Sequence, residues 1–250
     1  MSGHSKWATI HRQKEVTDKK RGQLFTKVAN AITIAVRESG GVTDPEFNFK
    51  LRLAMEKGKT INMPKDNIER AIQRACGKLE GNQIEEMTYE GYGPAGIAVM
   101  VECLTDNRQR TTQELKNIFE KGGGTLAGRG AVAYQFEKAG FLTIQKPAGV
   151  DPDLIGVEEA ILRIMDFAGV VDVEEVSDGI EIYTLPAELE KMKEELAGAG
   201  FTVTSADLVA RPKVFVPVSG EKEAKKILEF MERLESQNEV QKVYANFDIP

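Results

Sequence analysis

The feature that most constrains this chain is the break in charge and periodicity near residue 80. Residues 1–80 carry 16 lysines and arginines against 9 aspartates and glutamates; residues 81–250 carry 17 against 30. A formal net charge of −6 thus hides a basic module joined to an acidic body. The apolar pattern changes at the same place, from three- and four-residue steps to strand-length runs, so the charge boundary is also expected to be a fold boundary. Asymmetry of this kind points to a polyanionic partner for the basic part, most often nucleic acid.

Within the basic part, residues 1–17 are polar and weakly periodic and read as an arm. His4, Lys6, His11, Arg12 and Lys14 surround the single tryptophan, Trp7. Residues 17–39 predict a helix. Phe25, Val28, Ala29, Ile32, Ala35 and Val36 fall on one face, and Lys19, Lys20, Gln23, Lys27 and Asn30 largely on the other. Gly40-Gly41 stops it. Asp44 before Pro45 predicts the start of a second helix, running to about Lys57 with Phe47, Leu51, Ala54 and Met55 inward. Pro64 opens a third, through Ile68 and Ile72 to Gly77. Arg70, Arg74 and Lys78 step by four along it, the pattern of a solvated face or, alternatively, of an extension of the basic surface. Three short amphipathic helices imply a small bundle.

After Gly81, strands are predicted at 97–104, 131–136, 141–145, 170–176, 180–184, 201–209, 214–218 and 240–247. Helices fit at 107–121, 153–167, 187–197 and 221–236. Residues 141–209 alone read β-α-β-β-α-β, a ferredoxin-like unit, flanked by β-α-β on either side. The predicted architecture is α+β: a three-helix domain (1–80), then a discontinuous α+β domain (81–138 with 210–250), with an acidic ferredoxin-like domain (139–209) inserted in it. The insert has 4 basic and 15 acidic residues, which would repel a nucleic-acid backbone and suit solvent or a basic protein.

Several function classes find no support. The longest apolar stretch, 97–101, is far short of a membrane span, and the opening residues lack a secretory h-region, so a cytoplasmic protein is expected. Cys76 and Cys103, without ligand-spaced neighbours, read as small buried hydrophobes. Gly91-Tyr92-Gly93-Pro94-Ala95-Gly96 matches GxGxxG by letter, but it precedes a strand and contains proline, so it is a turn and not a dinucleotide site. Gly123 to Gly130 is a near miss for a phosphate loop. Arg129 stands where lysine belongs, and what remains is a mobile glycine-rich loop carrying one arginine. The two histidines lie in the arm without a fixed partner, and no carboxylate pair or ligand cluster stands out. No enzyme activity, metal or cofactor is expected.

Thr105-Asp106-Asn107-Arg108-Gln109-Arg110-Thr111 lies at a strand-to-helix junction. Thr105 or Asp106 could cap the helix, and Arg108 and Arg110 stand where backbone N–H groups favour an anion.

These motifs carry a resemblance. Gly3-His4-Ser5-Lys6-Trp7, Lys20-Arg21-Gly22, Phe25-Thr26-Lys27, Asn62-Met63-Pro64 with Asn67-Ile68-Glu69-Arg70-Ala71-Ile72, Tyr89-Glu90-Gly91-Tyr92-Gly93-Pro94, Thr105-Asp106-Asn107-Arg108 with Arg110-Thr111, and Ala245-Asn246-Phe247 occur in order along the chain. Together they resemble the YebC/PmpR family. The resemblance implies a cytoplasmic three-domain protein, described in the family as a probable transcriptional regulator that binds promoter DNA. It equally brings a mitochondrial relative that activates translation, and bacterial members associated with ribosomes and with translation through proline-rich stretches. The family's basic opening maps onto Lys6, Trp7, Lys14, Lys19, Lys20, Arg21 and Lys27. One departure is Asn30-Ala31, where members often carry a basic–acidic pair.

The expected nucleic-acid-binding set is Lys6, Trp7, His11, Arg12, Lys14, Lys19, Lys20, Arg21, Lys27, Arg108, Arg110 and Arg129. Three readings follow. The first is a DNA-binding transcriptional regulator. The second is a ribosome- or RNA-associated translation factor, for which an arm with one stacking aromatic also suits. The third is a scaffold whose acidic body is the active part.

Overall fold

A computed structural model describes residues 18–77, 84–145, 156–176 and 179–249. The described residues group into two compact units, one of residues 18–133 with 220–245 and the other of 134–219 with 246–249. The fold is α+β, a helical N-terminal region followed by antiparallel sheets.

Three helices open the first unit: α1 (Asp18–Glu38), α2 (Phe49–Thr60) and α3 (Lys65–Ala75). Val28, Ile32, Ala35 and Val36 of α1 close a core with Leu51, Ala54, Met63, Ile68 and Ala71. Thr33 is buried within it and donates to Ala29 O and, across the bundle, to Ala71 O. The second helix begins later than Asp44-Pro45 predicts. Asp44 instead accepts from Glu46 N in a separate turn, and the cap is Asn48, which accepts from Leu51 N at 3.0 Å. Asn48 is buried, and its amide donates to Ala35 O, Ser39 Oγ and Val42 O, tying the end of α1 to the start of α2. This displaced start leaves Phe47 79% exposed, where the expected helix would have turned it inward. Between α2 and α3, Asn62 takes φ 55°, a left-handed value asparagine tolerates, and Met63 turns into the core. The Asn62-Met63-Pro64 motif is thus a helix stop, a core anchor and a helix start.

The outer sheet of the same unit contains β1 (Glu85–Tyr92), β2 (Ala98–Thr105), β3 (Thr125–Ala127) and β9 (Val240–Ala245), in the order β3-β1-β2-β9. Helices α4 (Arg108–Gly122) and α7 (Glu221–Glu235) pack against it, Phe119 of one meeting Phe230 of the other edge to face at 5.1 Å. Gly91 faces these helices, and a Cβ there would stand 2.5 Å from the Phe119 ring. The hairpin turn after β1 is equally tight, since a Cβ on Gly93 would meet Ile97 and Phe230 at 2.9 Å. The glycines therefore serve packing, as the turn reading expects.

Strand β1 is absent from the predicted elements, because its Glu-Glu opening and glycine end mask a polar–apolar alternation. Conversely, residues 131–136 are not a strand: Ala133–Gln135 forms a 3₁₀ turn, and β4 (Phe136–Gln145) begins only after it. The outer sheet is therefore joined as β-β-α-β and then, after the insertion, α-β.

In the second unit, β4 is followed by α5 (Val157–Met165), β5 (Val170–Val176), β6 (Gly179–Thr184), α6 (Leu189–Gly198) and β7 (Val203–Pro212). The strand order is β5-β6-β4-β7, antiparallel throughout, which is the ferredoxin-like arrangement the element order predicts. Leu142, Ile144, Ile180 and Ile182 are buried on the helix-covered face, where Gly140 meets Leu189 of α6. Strands β4 and β7 pair continuously from Phe136↔Pro212 to Thr143↔Ser205, and after a bulge again at Ile144↔Val203, so positions 138/139 and 209/210 fall inside one ladder. A short parallel pair, β8 (Val216–Pro217) with β10 (Phe247–Asp248), completes the unit. Buried Asn246 donates to Gln135 Oε1, giving the Asn246-Phe247 motif a structural role.

Candidate nucleic-acid interface

The expected basic residues meet different fates. Lys6, Trp7, His11, Arg12 and Lys14 lie outside the described residues, as does Lys78. Lys19 and Lys20 fall in the first turn of α1, and their side chains lie outside the described ones. Arg21, on the next positions of the helix, is exposed.

Lys27 is not on a free face. It is partly buried, and its Nζ donates to Glu235 O, the last carbonyl of α7, at 2.6 Å. Burial holds its pKa below the usual lysine value, against the opposing pull of the Glu235 charge. A lysine satisfying a helix's terminal carbonyl is a docking strut between α1 and α7. Arg74 is drawn in likewise, donating to Asn30 Oδ1 and Thr33 Oγ1 of α1 at 3.1 Å each. Lys50 pairs with Glu38 at 2.6 Å. Asn30 is thus an acceptor for Arg74.

At the start of α4 the cap is Asn107, neither of the two residues expected. Its Oδ1 accepts from Arg110 N at 3.1 Å. Thr105 instead accepts from Asn107 N and from Thr111 Oγ1. Asp106 pairs with the Arg110 guanidinium at 2.8 Å, and Arg110 also pairs closely with Glu239. Glu239 is buried and accepts from Thr111 as well. Arg110 therefore binds together the end of β2, the start of α4 and the start of β9. Arg108 is exposed and makes no ion pair among the described residues.

The glycine-rich loop is held where the sequence predicts mobility. Glu90 of β1 is only 4% exposed, on the sheet face opposite the helices. Its Oε1 accepts from Gly130 N at 2.7 Å, and its Oε2 accepts from Val132 N and Ala133 N at 2.8 Å each. Burial pushes the carboxyl pKa up. The three N–H donors and the nearby Arg129 charge outweigh it, and the net position is below the usual value. Tyr92 Oη adds a bond to Ala131 O. The loop thus presents exposed Arg129 from a fixed backbone. Glu90 and Tyr92 belong to a motif that the sequence shows only as a glycine turn; their role appears once the register puts Glu90 opposite Ala127.

Strand β2 passes into α4 and Arg108 at the Glu85 end of β1. The C-terminus of α7, which Lys27 grips, lies at that end too, because β9 then pairs Val240 with Cys103. The loop carrying Arg129 leaves β3 toward that end but is pinned back to Glu90 and Tyr92, toward the other end of β1.

Cys103 is buried, and burial pushes its thiol up to about 12, so it is no nucleophile near neutrality. Cys76 is exposed, contrary to the expected buried role, because it follows the last turn of α3. Among the described residues no group of His, Cys, Asp or Glu could hold a metal ion, and no helix is long and apolar enough to cross a membrane.

The fold defines an α+β protein in which a helical N-terminal region precedes two antiparallel-sheet units. Two family models match it: the TACO1/YebC protein N-terminal domain over residues 5–78 and the TACO1/YebC second and third domain over residues 84–247. The chain belongs to this family. A relative from Moorella thermoacetica named "Probable transcriptional regulatory protein" is 46% identical across 100% of this chain and 96% of its own length. One of the same name from Dictyoglomus thermophilum is also 46% identical, across 97% of its length. A crystal structure of a conserved hypothetical protein from Aquifex aeolicus superposes with a TM-score of 0.82 at 41% identity, covering 95% of this chain and 94% of that one.

Proposed function

We propose that this protein is a nucleic-acid-binding regulator of gene expression that contacts DNA through its basic arm, the start of α1 and the arginines Arg108 and Arg129. The observation that carries the reading is full-length similarity to relatives named as transcriptional regulators, in a chain whose first eighty residues are strongly basic. Two features support the site. Arg108 stands at the amino end of a helix, where backbone dipoles favour an anion. Arg129 stands on a loop braced from beneath by Glu90, so placing it against a phosphate costs little ordering entropy. Base-edge readers are not evident in this set, so phosphate contact dominates and sequence preference is modest.

The test is an equilibrium titration of the full chain against a promoter duplex, an unrelated duplex and a single-stranded RNA at several salt concentrations. Affinity for duplex DNA should fall linearly with salt on logarithmic axes, since each neutralised phosphate releases about one counterion. An absence of DNA binding at low salt, or binding confined to RNA, contradicts the reading; the latter outcome moves the function to translation.

A further inference from the structure

The second unit is acidic over most of its length, residues 139–209 holding 4 basic and 15 acidic residues. The segments by which its chain enters and leaves have the other sign: residues 134–138 and 210–219 carry Lys138, Arg211 and Lys213 against Glu137. At this end of the β4–β7 ladder two apolar side chains stand in solvent, Tyr134 at 66% exposure and Val214 at 70%.

Hydrogen bonds fix the turn that presents them. Lys213 N donates to Gln135 O at 2.8 Å, and Lys213 Nζ donates to Tyr134 O at 3.1 Å. The Gln135 amide donates to Tyr134 Oη at 3.3 Å and accepts from Asn246 Nδ2 at 3.1 Å. The tyrosine hydroxyl is thus occupied by its neighbour, while among the described residues no aromatic ring or guanidinium stacks on its ring. Lys213 uses one of its three N–H donors on Tyr134 O and keeps two for another acceptor.

An exposed ring face beside a lysine with donors to spare calls for a planar group that carries an anion. An unpaired nucleobase with its phosphate has both parts. A base inside a duplex does not, because its faces are covered by its neighbours and freeing them means unstacking the helix.

We propose that Tyr134, with Lys213 beside it, is a stacking platform for an unpaired nucleobase, and that the second unit meets single-stranded nucleic acid at this basic end. The proposal deepens the nucleic-acid reading above and rests on it. The base packs on the tyrosine ring near the Val214 side chain, and the Lys213 ammonium takes the adjoining phosphate. Every base has a π face, so the platform is indifferent to sequence. The turn is held before binding, so little freedom is lost in forming the stack.

The experiment titrates the full chain at low salt against four short labelled probes: a DNA strand, the same strand as RNA, the DNA strand with its bases removed, and the blunt DNA duplex. The proteins are wild type, Tyr134→Phe and Tyr134→Ala. Tyr134→Ala should bind both single strands about tenfold more weakly, the scale of one lost stack, and should bind the duplex unchanged. Tyr134→Phe keeps the ring and should bind like wild type. Removing the bases should cost wild type about tenfold more than it costs Tyr134→Ala, which has no stack left to lose. A loss on only one kind of single strand upholds the platform and names DNA or RNA as its source. Equal affinity of wild type and Tyr134→Ala for both single strands overturns the platform and leaves the reading above standing. So does an equal loss on every probe, which assigns the tyrosine to the fold. Failure of wild type to bind any probe overturns both.

Discussion

Glu90 and Glu181 are both buried carboxylates on the face of an antiparallel sheet turned away from its helices, yet their surroundings differ. Glu90 is answered by its own loop through three backbone N–H groups, so its charge is absorbed in fixing local structure. Glu181 sits beside Glu174, with Thr143 on its other flank, on a face where Arg211 is already shared between Asp172 and Glu174. Glu90 thus fixes a loop some forty residues away through backbone donors, whereas Glu181 is set among the side chains of its neighbouring strands. The kind of neighbour, more than burial itself, separates the two carboxylates.

The largest expected effect tests the Glu90 half of this comparison. Glu90→Ala leaves three N–H groups without their acceptor and should cost roughly 3–5 kcal/mol in a denaturant titration. A loss below about 1 kcal/mol would show that the loop finds other partners. The same carboxylate gives a pH signature. Its folded pKa lies below the unfolded value, so its contribution is present above about pH 4.3 and is lost as pH falls through the folded pKa. Stability followed from pH 6 to pH 2 should therefore decline in wild type and flatten in Glu90→Gln.

Lys27 sharpens the contrast between a structural and an interfacial charge. Because its ammonium grips the end of α7, Lys27→Glu should place a carboxylate against that carbonyl and destabilise the protein by roughly 2–4 kcal/mol. Lys27→Met should be milder. A Lys27→Glu protein of wild-type stability would return this residue to the free surface.

The arginines should show smaller, separable effects. Arg108→Ala with Arg129→Ala should lower DNA affinity and reduce the salt slope by about 2, while leaving the melting temperature alone. Arg110→Ala should do the reverse, lowering the melting temperature through loss of Asp106 and Glu239 and leaving the slope unchanged.

Much of the architecture was legible because it rests on periodicity. The α1 stripe from Val28 to Val36 and the β-α-β-β-α-β order of the second unit both appear as expected. Legibility failed where a side chain's partner is distant in sequence. Asp44-Pro45 looks like a helix start, but Asn48 wins the cap because its amide also reaches Ala35 and Val42. Lys27 looks solvent-facing by its helical angle, and only the placement of Glu235, 208 residues away, gives it another task. The Glu90 clamp spans some forty residues and depends on the β1–β3 register, which no local pattern encodes.

The central claim, that the Glu90 clamp holds Arg129 ready for a phosphate, is tested most directly by measuring DNA affinity for wild type, Glu90→Gln, Arg129→Ala and the double variant side by side at one low salt concentration. Both changes should weaken binding, and the double variant should bind no more weakly than Arg129→Ala alone. Wild-type affinity in Glu90→Gln, or additive losses in the double variant, would contradict the account.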